Sequence, residues 1–276
     1  MIKTSRPLGW IPAQLGFLAF SFLSGAGLVP LLLLQMALLS FPYCIFLYGI
    51  NDIYDYESDK INPRKESLLS TRLEPKDHAL VKRISFAVVV MLVLSSLITL
   101  NLTNILAMLI LLFFSYFYSA PPIRFKEKPP FDSISNGIIV YGVTLLGFSF
   151  GGTLLEYPLK GYFVIACIIG LHAFSTVMDY SFDKEVGERT FAVVFGKRTA
   201  CLFAFFIFIS TSLFSGIQIA FAKELMLFYG FIFLISTFVP SERLVSLFFI
   251  IIVSSMTFVL MLYVIDRIFF ELWFWD

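Results

Sequence analysis

The sequence predicts an all-α polytopic membrane protein, and three observations predict it. Hydrophobic residues make up 59% of the 276 residues and charged residues only 14%, against roughly 25% charged in a soluble domain. Long uncharged runs alternate with short charged segments, and the basic residues crowd onto every second segment. That imbalance is too large for a globular core. The expectation is one transmembrane domain covering 1–276, with no low-complexity tract and no soluble domain.

The uncharged runs give the spans in order. Between Arg6 and Asp52 lie 45 uncharged residues. A span needs about 20, so this run holds two helices, broken near Gly25, Gly27 and Pro30. Between Arg83 and Arg124 lie 40 more, again two helices, with the break near Asn101–Leu102–Thr103–Asn104. Single runs follow at 133–155, 161–178, 199–222, 225–241 and 244–265, which brings the expected count to nine. The runs at 161–178 and 225–241 are the shortest. Pro121, Pro122, Pro129 and Pro130 shape the connection before 133, because proline stops a helix from continuing.

Nine spans place the termini on opposite sides. The amino terminus and the segments after helices 2, 4, 6 and 8 hold 17 of the 20 Lys and Arg residues, leaving Lys160, Lys223 and Arg267 on the other side. Positive charge stays cytoplasmic. An integral protein of the cell membrane is therefore expected, with its amino terminus and the loops on that side in the cytoplasm and membrane lipids around it. Lys3 and Arg6 before an apolar run also suit a signal peptide, but the run is too long and lacks a small-residue cleavage site. Cys44, Cys167 and Cys201 lie in apolar runs without pairing or metal spacing and read as packed thiols. A net charge of +1 argues against a nucleic-acid partner. The sequence assigns no oligomeric state.

Two aspartate clusters sit at the inner ends of even-numbered helices. One reads N-D-I-Y-D-Y-E-S-D-K, with Asp52, Asp55 and Asp59; the other reads M-D-Y-S-F-D-K-E, with Asp179 and Asp183. Carboxylates at a bilayer edge are functional candidates. On a continuous helix the first three lie within about 60° of one another and the second two within about 40°, so each set lines one face. Glu57 and Glu185 point elsewhere, towards solvent. A solvated helix end is the plain alternative. Against it, carboxylates at carboxyl-terminal ends oppose the helix dipole and repel one another, and a divalent cation relieves both costs. Oxygen-only ligands indicate Mg²⁺, which bridges a few carboxylates and substrate phosphates.

Bases accompany the acids on the same side. Lys60, Arg64 and Lys65 follow the first cluster, Lys184, Arg189, Lys197 and Arg198 the second, and Arg124, Lys126 and Lys128 follow helix 4. Acid and base at one face suit a single metal–diphosphate site, although the positive-inside bias explains many of these bases. His172, seven residues before Asp179, shares its face two turns deeper on an unbroken helix. It reads as a cavity residue or as an interhelical hydrogen-bond partner, the commoner role. His78 lies in the polar 52–83 connection and carries no argument.

N-D-x-x-D-x-x-x-D at 51–59, with D-x-x-x-D at 179–183, resembles the UbiA superfamily of intramembrane prenyltransferases over nearly the whole chain. The resemblance implies a nine-helix bundle around a central cavity. It also implies transfer of an isoprenyl group from an allylic prenyl diphosphate to a lipophilic acceptor, with Mg²⁺ as cofactor. Asn51, Asp52, Asp55 and Asp59 then take the first motif's role and Asp179 and Asp183 the second's. The five aspartates would hold the metal, and Asp52, Asp55, Asp179 and Asp183 are the catalytic candidates. Asn51, Lys60, Arg64, Tyr118, Arg124, Lys126, His172, Lys184 and Arg189 are the substrate-binding candidates. A dry cavity protects an allylic cation from water, and aromatic faces stabilise it. Among 34 Phe and 12 Tyr, most pack or face lipid; Tyr48, Tyr116, Tyr118, Tyr141 and Tyr180 are the better placed.

Y-S-A-P-P-I-R-F-K-E-K-P-P-F-D-S at 118–133, H-A-F-S-T-V-M-D-Y-S-F-D-K-E-V-G-E-R-T at 172–190 and N-P-R-K at 62–65 look most like the lycopene elongase branch. That implies a C5 allylic cation adding to the end of a C40 polyene. Tyr180, Ser181 and Phe182 depart from the more polar residues that pattern carries. Prenylation of a hydroxybenzoate or naphthoate quinone precursor is the second reading. It needs a cationic clamp for a carboxylate, and Arg124 is the available candidate. A transporter is the reading from another class, but its path should carry polar groups nearer the midplane, where only scattered residues such as Gln35, Gln218 and His172 lie. A lipid-headgroup transferase lacks its glycine- and arginine-bearing motif here.

Overall fold

The computed structural model describes residues 2–60, 73–216 and 220–270. Among them all regular structure is helical, in the order α1 (Trp10–Leu23), α2 (Pro30–Leu38), α3 (Phe41–Tyr54), α4 (Tyr56–Asp59), α5 (Pro75–Ile98), α6 (Leu102–Ser119), α7 (Phe131–Phe148), α8 (Leu159–Ser175), α9 (Tyr180–Val186), α10 (Phe191–Phe195), α11 (Lys197–Phe214), α12 (Ala220–Phe238) and α13 (Glu242–Phe269). The chain divides into two compact units, Met1–Arg124 with Ile139–Tyr157, and Phe125–Ile138 with Pro158–Asp276. Helix α7 begins in the second unit and continues in the first.

Each of the nine expected runs forms helix, but among the described residues seven helices are long and apolar enough to cross a membrane. The number becomes eight if α8 and α9, bent by 69° at their junction, make one span. Helix α1 accounts for the difference. Its 14 residues rise about 21 Å at 1.5 Å each, short of a hydrocarbon core of about 30 Å. Helices α2 and α3 count together as one 25-residue span. They part at Ser40 (φ −80°, ψ −125°), and Pro42 in the first turn of α3 has no N–H to lose there. Helix α12 starts before the run read from the sequence, because Lys223 and Glu224 lie inside its first turns.

In the first unit, polar atoms and close backbones add to the burial of apolar side chains such as Phe17, Leu92, Leu111 and Leu145. Asn101 caps α6, its Oδ1 accepting from the N–H groups of Thr103 and Asn104 at 2.9 and 3.3 Å, which is the physical form of the predicted break. Its Nδ2 donates to the Ser149 carbonyl at 2.8 Å. Buried Gln35 and Asn104 exchange amide hydrogen bonds of 2.9 and 3.1 Å, and Asn104 also donates to Ser149 Oγ at 2.8 Å. Such bonds hold helices together where lipid supplies no hydrophobic drive. Glycines let α7 approach its neighbours. A Cβ on Gly147 would lie 2.0 Å from the Phe17 carbonyl oxygen, and one on Gly142 3.0 Å from the Leu111 Cα.

The second unit has an aromatic core. Phe174 and Phe233 meet edge-on at 4.7 Å, Phe208 lies 4.9 Å from Phe233, and Tyr229 lies 5.9 Å from Phe208. These are the offset geometries that ring quadrupoles favour. The Tyr229 hydroxyl pairs with Ser255 Oγ at 2.6 Å. Cys167 and Cys201 pack here and Cys44 in the first unit, all as buried free thiols. Large apolar side chains such as Phe86, Ile98, Phe206, Phe238 and Ile250 are exposed while Ser95, Ser96, Ser115, Thr211 and Ser236 are buried, an inversion that suits a lipid surrounding.

Gly147→Ala is expected to destabilise the detergent-purified protein by about 1–3 kcal/mol, read as a fall in thermal unfolding midpoint. Gly27→Ala, where nothing lies within 4 Å of a new Cβ, serves as the neutral control. Equal midpoints for both variants would contradict the α1–α7 contact.

Candidate active site

The first aspartate set is built by a helix that stops. Helix α3 ends at Tyr54, and Asp55 caps it with φ −102° and ψ 7° before the single turn of α4. The continuous helix assumed from the sequence is therefore interrupted at the middle aspartate. Asp52, Asp55 and Asp59 are all buried, whereas Glu57 is exposed and pairs with Lys60 at 3.0 Å.

Two guanidinium groups meet these carboxylates. Arg6 Nη2 donates to Asp52 Oδ1 at 2.9 Å, and its guanidinium lies 4.5 Å from the centroid of the Tyr48 ring. Arg124 Nη2 donates to Asp55 Oδ1 at 3.3 Å, while its Nη1 donates to the carbonyls of Tyr54 and Ser119 at 3.3 and 3.5 Å. Arg124 thus places positive charge on the carboxyl-terminal carbonyls of both α3 and α6, where the helix dipole favours a cation. Asn51 Nδ2 donates to Asp55 Oδ2 at 2.7 Å and to Ser119 Oγ at 2.9 Å. The chain's own arginines thus meet part of the dipole cost that a divalent cation was expected to relieve.

The second set lies where α8 ends and the chain bends. Asp179 caps α9 at its amino terminus, not the carboxyl end of a long helix as the sequence suggested. Asp183, one turn on, is buried. Its Oδ2 accepts from Thr190 Oγ1 at 3.1 Å, and its carbonyl accepts from the Glu188 N–H at 2.8 Å. Helix α9 lies outside the straight segment Leu159–Ser175, and there burial, followed by the neighbouring Asp179 charge, pushes the Asp183 carboxyl up to about 7. A cation at Asp183 would oppose both causes.

The remaining candidates separate clearly. Lys126 pairs with Glu188 at 3.6 Å. Lys184 and Lys197 hold their ammonium groups 5.8 and 4.7 Å from the Tyr180 ring centroid. Arg189 and Lys184 are exposed. Tyr118 is half-buried in the last turn of α6. Because α8 ends at Ser175, His172 does not share a helix with Asp179; its Nδ1 lies 3.1 Å from Ser133 Oγ, an interhelical pairing. Arg64 and the rest of 61–72, like Gln218, lie outside the described residues. Sequence reasoning missed Arg6, Ser119, Glu188, Thr190 and Asp132. The Asp132 carboxylate accepts from the N–H groups of Ser133 and Phe191, each at 2.7 Å.

Among the described residues no three His, Cys, Asp or Glu side chains gather as a ready-made metal cluster. The donor set nonetheless fits Mg²⁺. It consists of hard carboxylate oxygens, and Mg²⁺ is held through one or two carboxylates plus substrate phosphates and water.

The sequence model of the UbiA prenyltransferase family matches residues 11–264. The chain belongs to that family. It is 30% identical to the C(50) beta-cyclic carotenoids biosynthesis protein LbtBC of Dietzia over 73% of the chain and 47% of that protein, so it spans about half of that relative's length. It is 32% identical to the lycopene elongase/hydratase of Haloarcula japonica over 71% of the chain and 67% of that protein. The fold matches the structure of a UbiA homolog from Archaeoglobus fulgidus bound to DMAPP and Mg²⁺, with a TM-score of 0.73, 22% identity and coverage of 97% of this chain and 98% of that one. The helical prenyltransferase fold is thereby established for this UbiA family member.

Replacing Arg124 with Leu removes one donor to the buried Asp55 carboxylate and is expected to destabilise the protein by about 1.5–3 kcal/mol, the worth of a hydrogen bond to a charged group. Asp55→Asn in the same background should recover part of that loss. A double-mutant cycle by thermal unfolding in detergent measures this, and strictly additive effects would contradict the pairing.

Proposed function

We propose that this prenyltransferase carries an isoprenyl group from an allylic diphosphate to the end of a membrane-dissolved carotenoid such as lycopene. The observation that carries this reading is the 32% identity to a lycopene elongase/hydratase over 71% of the chain, joined to the carboxylate sets at 51–59 and 179–183. The A. fulgidus homolog, bound to DMAPP and Mg²⁺, supports the donor class and the metal.

Asp52, Asp55, Asp59, Asp179 and Asp183 hold the metal-bound diphosphate in this reading. Mg²⁺ supplies neutralisation of the charge that develops on the departing diphosphate. Asn51 orients Asp55 by its 2.7 Å hydrogen bond, and Arg6 and Arg124 pair with the buried Asp52 and Asp55 at 2.9 and 3.3 Å. Lys60, Arg64, Lys126, Lys184 and Arg189 supply positive charge for the diphosphate, and Tyr118 and His172 border the substrate. The carotenoid needs an apolar path and no ionic anchor. A benzoate-type acceptor needs a cation, and Arg124, the candidate, is committed to Asp55 and two carbonyls. We place the amino terminus and the aspartate loops on the cytoplasmic side, because 17 of 20 Lys and Arg residues fall on that face of the nine-run topology. The whole of 1–276 works as one catalytic domain.

Expression in a lycopene-producing bacterial host should yield carotenoids heavier by one or two C5 units, with Asp52→Ala and Asp179→Ala each abolishing them at equal protein level. Unchanged lycopene beside well-expressed protein would move the aromatic quinone precursor to first place, and full activity in either variant would remove the metal-site assignment. In membranes, EDTA should stop transfer and added Mg²⁺ restore it; transfer that ignores chelation would contradict a metal-dependent reaction.

A further inference from the structure

Thr190 stands at the amino-terminal cap of α10, in the extended conformation of a capping residue (φ −101°, ψ 168°), yet it makes no capping hydrogen bond. A threonine there ordinarily accepts from the second or third N–H of its helix. Its hydroxyl instead donates to Asp183 Oδ2 at 3.1 Å. The capping work is done from elsewhere in the second unit. The Phe191 N–H donates to Asp132 Oδ2 at 2.7 Å, and the Ala192 N–H donates to Thr176 Oγ1 at 3.0 Å. Asp132 is 1% exposed, and its other oxygen accepts the Ser133 N–H at 2.7 Å. The same stretch of chain fastens the loop a second time, through Lys126 and Glu188 at 3.6 Å. The Glu188 N–H donates to the Asp183 carbonyl at 2.8 Å.

We infer that Asp132 is a positioning residue for the second aspartate set: by holding the Phe191 N–H it fixes the adjacent Thr190, whose hydroxyl donates to Asp183. Each oxygen of this buried carboxylate accepts one backbone N–H, a role that a neutral acceptor would fill at lower desolvation cost. A carboxylate fixes two separate N–H groups at once, and so locks the start of α7 to the start of α10. The inference rests on the reading of Asp183 as a metal ligand.

Mn²⁺ binding to the detergent-purified full-length chain, followed by electron paramagnetic resonance beside the thermal midpoint of each variant, tests it. Thr190→Val leaves every cap contact in place and should weaken Mn²⁺ binding about 10- to 100-fold, the usual effect of removing a group that orients a metal ligand. Asp132→Ala should weaken it comparably, and the double variant should be no worse than either single one. Asp132→Asn, which keeps one acceptor oxygen, should fall between Asp132→Ala and the native protein. Unchanged Mn²⁺ binding in Thr190→Val while Asp183→Ala abolishes it would overturn the inference and leave the site reading intact. Full multiplication of the two single effects would also overturn it. Mn²⁺ binding that survives Asp183→Ala would remove the site reading and this inference with it.

Discussion

Buried carboxylates at the ends of apolar helices are the constraint around which the rest of the site is arranged. An ionised carboxylate taken out of water needs donors close at hand or it neutralises, and at the carboxyl end of α3 the helix dipole adds its own repulsion to Asp52 and Asp55. Asp52, Asp55, Asp59 and Asp183 are all buried. Each unit of the fold supplies the compensation in its own way, and that compensation determines where helices stop, which loops are tied down and which bases are committed.

In the first unit the answer is guanidinium. Arg6 reaches Asp52 from the amino-terminal segment, and Arg124 reaches Asp55 from the end of α6 while covering two helix-terminal carbonyls. Truncating either arginine leaves a carboxylate that was desolvated for a partner it no longer has. In the second unit the answer is hydroxyl and backbone. Thr190 serves Asp183, and the N–H groups at the starts of α7 and α10 serve Asp132. Asp183 has the weaker compensation, and burial beside Asp179 raises its pKa.

Much of the architecture was legible because it is written in local chemistry. Pro30 and Asn101 mark helix starts through their own backbone and side-chain preferences, and the structure begins α2 and α6 beside them. Uncharged runs located the long helices, whereas the short α4, α9 and α10 fall outside them. What the sequence hid were features decided by distant neighbours. Charge boundaries misplaced the start of α12, because Lys223 and Glu224 fit at a helix end. Arg6 counted only as a topological charge, since nothing local says that it meets a residue 46 positions away. Asp132 sat inside a recognised stretch without a role, because its partner Phe191 lies 59 positions on. The unbroken helix assumed through Asp55 and Asp179 failed because both residues turn the chain instead of continuing it.

Membership of the UbiA prenyltransferase family is the ground for the proposal that these carboxylates receive a cation together with a diphosphate. The most direct measurement is thermal unfolding of the purified chain with Mg²⁺ alone, with an allylic diphosphate alone and with both. Mg²⁺ and diphosphate together should stabilise by about 2.7 kcal/mol at one hundred times the dissociation constant, far more than the two separate shifts combined. Purely additive shifts, or none, would contradict the proposed metal–diphosphate binding.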